Sequence, residues 1–146
     1  MRRSYPCPVV ITGVVGICLV FAVTALAQTG KTVQAAGPAS MRVEFASICR
    51  RVVDRNVVDA GTRFPASVGR LCCFTKIVGA QSPSEITHVW YFRDAERARV
   101  TLAVNGARWR TFSSKIIQSH EIGAWRVDVL GPDGALLTSV HFEIFA

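Results

Sequence analysis

The chain has 146 residues, half of them hydrophobic, with 17 Lys and Arg against 10 Asp and Glu for a formal net charge of +7. That length suits one domain of ordinary size. The apolar fraction excludes a disordered chain.

Met1-Arg2-Arg3 forms a short basic start, and residues 9–27 carry no charge. The apolar run ends in Ala25-Leu26-Ala27, small residues in an A-x-A order, followed by Gln28. This reads as a secretory signal peptide over residues 1–27. The run approaches spanning length, so an uncleaved inner-membrane anchor is the rival reading. Cys18 has no small-residue lipobox before it, so a lipoprotein is not expected. Removing Arg2 and Arg3 leaves 15 cations, 12 of them Arg, against 10 acids. Arginine suits bidentate contacts with carboxylate or phosphate, although a high-GC coding bias produces the same excess. The expected location is the periplasm or cell envelope of a Gram-negative bacterium. Export excludes DNA and RNA and leaves acidic glycans, lipid head groups and other proteins as partners. A membrane is reached only through an uncleaved N-terminal segment.

Residues 28–40, QTGKTVQAAGPAS, read as a flexible linker. From Met41 the chain shows short alternating segments separated by turn residues, with no sustained helical period. Seven strands are predicted, over residues 42–53, 68–78, 86–93, 98–104, 109–117, 124–130 and 136–145. Val100, Leu102 and Val104 share one face of the fourth. Trp125, Val127 and Val129 point inward in the sixth, with Arg126 and Asp128 outward. In the last, Val140, Phe142 and Ile144 alternate with His141 and Glu143. Asn105-Gly106 is a hairpin signal between strands four and five. Gly131-Pro132-Asp133-Gly134 closes strands six and seven, and Gln81-Ser82-Pro83-Ser84 separates two and three. The spacing predicts an all-β domain over residues 41–146, a seven-stranded immunoglobulin-like antiparallel β-sandwich, with a small barrel as the alternative.

Cys7 and Cys18 leave with the signal, so three cysteines remain: Cys49, Cys72 and Cys73. An oxidising compartment favours disulfides where geometry permits. Neighbouring side chains in a strand point to opposite faces, so Cys72 and Cys73 should differ in fate, and Cys49 can reach one of them. A vicinal Cys72–Cys73 bond would close a strained ring. The odd thiol is either an intermolecular or reactive group or a buried small apolar side chain.

No metal, cofactor or catalysis is expected. His88, His120 and His141 lack ligand spacing, and no Cys-x-x-Cys is present. Ser113 and Ser114 have no nucleophile elbow, and there is no glycine-rich phosphate loop. Asp94 and Glu96 read as a solvated turn. A ligand-binding surface is built instead from His88, Trp109, Arg110, Ser113 and Lys115, because a ring stacks on an apolar face while Arg and Ser fix hydroxyls or carboxylates. Trp90 and Trp125 read as core, and Trp109, between Arg108 and Arg110, as the exposed contact.

The phrases CFTKIVGAQSPSEITHVWYF, WRTFSSKII, GAWRVDVLGPDGALL and HFEI resemble the bacterial domain of unknown function 2914. The resemblance covers about residues 49–146. It implies an exported or membrane-tethered all-β module and brings no catalytic residue. It favours Cys73 as the disulfide partner of Cys49, because Cys73 matches the family's cysteine position and shares a face with Leu71, Thr75 and Ile77. Such a bridge would stabilise the domain by roughly 2–4 kcal/mol. The family carries an acidic residue and Pro after Asp-Arg, whereas Asp54-Arg55 is followed here by Asn56-Val57.

The expected function is therefore a non-enzymatic interaction module of the cell envelope, contacting another protein through strand edges and the Arg/Trp surface. The alternatives are a carbohydrate-binding module for acidic glycan centred on Trp109, Arg110 and Lys115, and a thiol-linked dimer through Cys72.

Overall fold

The computed structural model describes residues 40–81 and 83–146. The predicted signal, nearly all of the linker, Cys7 and Cys18 lie outside the described residues. The domain is a two-sheet β-sandwich, not a closed barrel. It contains β1 (Arg42–Val53), β2 (Asn56–Ala60), β3 (Arg63–Pro65), a single 3-10 turn (Ala66–Val68), β4 (Arg70–Val78), β5 (Ser84–Phe92), β6 (Ala95–Val104), β7 (Arg108–Ile116), β8 (Gly123–Leu130) and β9 (Leu136–Phe145). One sheet runs β2-β1-β4-β7 and the other β3-β9-β8-β5-β6.

All seven predicted strands form, and two more join them. β2 arises because Asp54 and Arg55 both adopt positive φ, 48° and 60°. With Val53 opposite Asn56, they make a two-residue turn whose twist suits antiparallel strands. Asp tolerates that region through local hydrogen bonding, and Arg55 adopts it without such help. β3 has only three residues and pairs with β9 in parallel, so the sandwich is not wholly antiparallel. Asn105-Gly106 is not a hairpin turn. β6 and β7 lie in different sheets, so this segment crosses between them. Gly131–Gly134 does close a hairpin, with the Gly131 amide donating to the Ala135 carbonyl at 2.8 Å.

The alternation read from sequence places the core. Trp125, Val127 and Val129 are buried, as are Phe142 and Ile144. Trp90 and Trp125 pack around Phe142, with ring centroids 6.2 and 5.8 Å away. Burying aromatic rings of this size dominates core energetics. From the four-stranded sheet, Ile48, Leu71 and Cys73 enter the same cluster. Ile77 joins a second cluster with Ile86, Val104 and Val129, against which Trp109 packs.

The β1–β2 hairpin leans over the outer face of its own sheet. Val52 and Val57 pack on Cys49, Cys72 and Phe74. This explains why Cys72 and Phe74, which point away from the sandwich interior, are each only 5% exposed.

Candidate functional site

Register decides the cysteines. Cys49 stands opposite Cys72, and Ile48 opposite Cys73. Directly opposed residues share a face, so Cys49 and Cys73 lie on opposite faces. The expected Cys49–Cys73 disulfide is absent, and all three thiols are free and buried. Cys73 stands one residue from the position opposite Cys49, and one residue exchanges the faces. Burial, with Cys72 close by, pushes the Cys49 thiol up to about 11. Burial raises Cys72 and Cys73 as well. The thiolate is the reactive species, so these groups are held as neutral thiols at pH 7.

The predicted binding set divides in three. His88 and Ser113 are inside the sandwich, 0% and 5% exposed. His88 lies on β5 and Ser113 on β7, so the pair bridges the two sheets. Ser113 Oγ is 2.8 Å from His88 Nδ1 and accepts from Trp90 Nε1 at 3.0 Å. Thr75 Oγ1 is 3.3 Å from His88 Nε2 and donates to the Thr111 carbonyl. Thr75 has one hydroxyl proton, which goes to Thr111, so His88 Nε2–H donates to Thr75. Nδ1 then accepts from Ser113. Each polar atom of the chain Trp90–Ser113–His88–Thr75 has a partner, as buried polar groups require. Burial lowers the His88 pKa to about 4, so the ring is neutral. These two residues hold the sheets together and are shielded from any ligand.

Lys115 lies at the far end of β7 from Trp109, about 20 Å away at the usual rise of a strand. Its Nζ sits 6.0 Å over the Trp125 ring and donates to the Ile116 carbonyl at 3.0 Å.

Trp109 and Arg110 are where a ligand could reach them. They line a groove of about 440 Å³ formed by Val52, Asp54 and Arg55 of the hairpin, Phe74 of β4, Ala103 and Asn105 from the end of β6, and residues 109–112 of β7. The Arg55 guanidinium lies over the Trp109 ring at 5.7 Å, a cation–π contact. A smaller adjoining hollow adds Lys76 and Arg108. Lys76 is spoken for, since it pairs with Glu44 and its hydrogen bond holds the Glu44 carboxyl below its ordinary value. Arg55, Arg108 and Arg110 form no ion pair among the described residues. Phe112 and Phe45, 45% and 46% exposed, extend the surface along the outer face.

Two contributors escaped sequence reasoning: Arg55 and Phe74. The only signal for Arg55 was its place in Asp54-Arg55, a turn recognisable once a strand is allowed after it. Phe74 alternates with Cys73, and nothing in the sequence tells which of the two faces outward.

No curated protein matches the chain. Residues 83–144 match the model of a family described as Protein of unknown function (DUF2914). The match runs from the start of β5 almost to the end of β9, and it includes Trp109 and Arg110 but not Arg55 or Phe74. Over this stretch, less than half of the chain, the protein is similar to the DUF2914 family of proteins of unknown function.

Proposed function

We propose that the protein is a non-enzymatic binding module of the bacterial cell envelope, exported by its N-terminal signal, with the groove at Trp109 and Arg110 as its contact. Its immunoglobulin-like character is part of the same proposal. One observation carries it: the guanidiniums of Arg55, Arg108 and Arg110, none in an ion pair among the described residues, lie beside an aromatic face in this groove and the hollow adjoining it. Guanidinium groups recognise carboxylates in a planar, bidentate way, and an exposed aromatic surface adds apolar contact. The natural partner is therefore an acidic surface on another envelope protein.

A photo-crosslinking residue at Asn105, on the groove wall, tests this in intact cells. A discrete crosslinked product is expected, and Arg110→Glu should remove it. The same probe at Leu136, exposed on β9 and outside the groove, should give none. Equal labelling at both positions would refute the groove as the contact.

An acidic glycan is the second reading, favoured by the Trp109 face between Arg55 and Arg110. It predicts thermal stabilisation by uronic-acid oligosaccharides, lost in Arg55→Ala. A dimer through Cys72 ranks last, because the hairpin covers that thiol.

A further inference from the structure

Among the described residues, the four-stranded and five-stranded sheets have four edges: β2, β7, β3 and β6. Exposed edges are usually blunted by shortness, proline, bulges or charge. β2 has five residues, and β3 has three and ends in Pro65. The β5–β6 pairing is interrupted by a register shift, and β6 carries the Glu96–Arg99 ion pair. β7 carries charge, in Arg108, Arg110 and Lys115, but none of the other devices. It pairs with β4 over nine consecutive residues without a shift, and it contains no proline.

The direction of its free backbone groups follows from parity. The Ile117 amide donates to the Gly69 carbonyl, and the Gly79 amide donates to the Ala107 carbonyl. In an antiparallel ladder alternate residues exchange hydrogen bonds with the same neighbour, so the odd-numbered residues 107–117 face β4. The even-numbered residues therefore direct N–H and C=O away from β4, toward the free edge. Two of them, Arg110 and Phe112, lie in the groove. Among the described residues the groove thus offers guanidiniums outside any ion pair, aromatic surface and strand backbone with no partner strand.

We propose that the free edge of β7 takes up an extended acidic peptide segment as an added strand, seated in the Trp109–Arg110 groove. This rests on the binding-module reading and names its partner class. Backbone bonds supply affinity and alternate side chains supply selectivity. A partner residue opposite Arg110 shares the outer face with it, so that position calls for Asp or Glu. A second copy of this chain would bring further arginines to an edge already rich in them. Residues 28–40 contain no carboxylate, so they do not meet the requirement either.

The test titrates the full chain calorimetrically with an acetylated, amidated peptide of alternating Thr, Glu and Val. Three comparisons accompany it: a Lys-for-Glu version, versions N-methylated at either set of alternate residues, and polygalacturonate. The Glu peptide is expected to bind and the Lys peptide not. One N-methylated set should lose about ten-fold or more, because it removes the bonds to β7, while the other set should not. Phe112→Pro should abolish binding and leave the β4 ladder intact, since its amide faces the free edge. Equal binding by both methylated sets would overturn strand addition without needing any protein variant. Binding of polygalacturonate alone, lost in Arg110→Ala, would overturn it too while the binding-module reading stands. A concentration-dependent dimer lost in Phe112→Pro would assign the edge to a second copy instead. No binding by any probe, with no crosslink at Asn105, would bring down both readings.

Discussion

The two faces of the four-stranded sheet are made of alternate residues of the same strands, and they behave as different materials. On the inner face, Cys73, Thr75 and Ser113 are 0–5% exposed; Cys73 packs in the apolar core, and Thr75 and Ser113 join a polar chain that ties β4, β5 and β7 together. On the outer face, Arg110, Phe112 and Ser114 are exposed, and beside them the hairpin covers Cys72 and Phe74. Adjacent residues such as Ser113 and Ser114 thus have unrelated duties. The inner face is committed to stability, and the outer face is free to bind.

The contrast can be broken first at its apolar centre. Trp90→Ala should cost roughly 3–5 kcal/mol, measured by denaturant unfolding, because the ring is fully buried and its N–H bond to Ser113 is lost. A smaller cost from this variant would mean that the sheets are held chiefly by the flanking clusters.

Acid should act on the same face. The folded-state pKa of His88 is about 4, below the ordinary 6.5, because burial disfavours the charged ring. Between these values the unfolded chain binds a proton that the folded chain does not. The contribution is therefore fully present above pH 6.5 and lost as pH falls toward 4, by roughly 3 kcal/mol. Unfolding free energies measured across that range should show the slope, and His88→Gln should flatten it.

Neighbouring serines sharpen the comparison. Ser113→Ala should cost roughly 1–3 kcal/mol, since it leaves Trp90 Nε1 and His88 Nδ1 unsatisfied. Ser114→Ala should stay within about 0.5 kcal/mol, since Ser114 is an exposed residue that only accepts a bond from Arg70. Comparable costs at the two positions would erase the distinction between the faces.

The smallest effect on stability is expected at Arg110. Arg110→Ala should also unfold within about 0.5 kcal/mol of the parent, because the side chain is exposed and makes no ion pair among the described residues. Its effect should appear in binding alone. A thermal shift as large as that of Ser113→Ala would show that Arg110 supports the fold.

Much of the fold was legible because period-2 alternation is a local property. Trp125-Arg126-Val127-Asp128-Val129 declares its buried side without reference to any other strand, and the structure agrees. Trp109 and Arg110 could be singled out for the same reason, since charge on both sides of a Trp marks a strand near a surface. His88 and Ser113 misled because polar residues within an aromatic segment read alike whether they meet a ligand or each other. Telling the two apart needs the distance between β5 and β7, strands separated by β6. The turn signals show the same limit. Gly131–Gly134 makes the expected hairpin, whereas Asn105-Gly106 crosses between sheets, because a turn motif specifies local backbone and not which strand comes next to it.

What the sequence determined by itself was the all-β class and the alternating core, both of them written in consecutive residues. Tertiary structure alone decided the register that sets Cys49 against Cys72, the hairpin that brings Arg55 over Trp109, and the sheet order that leaves one side of β7 without a partner strand among the described residues. These depend on pairings between segments far apart in the chain. A shift of one residue in any of them reverses every face while leaving the local pattern unchanged.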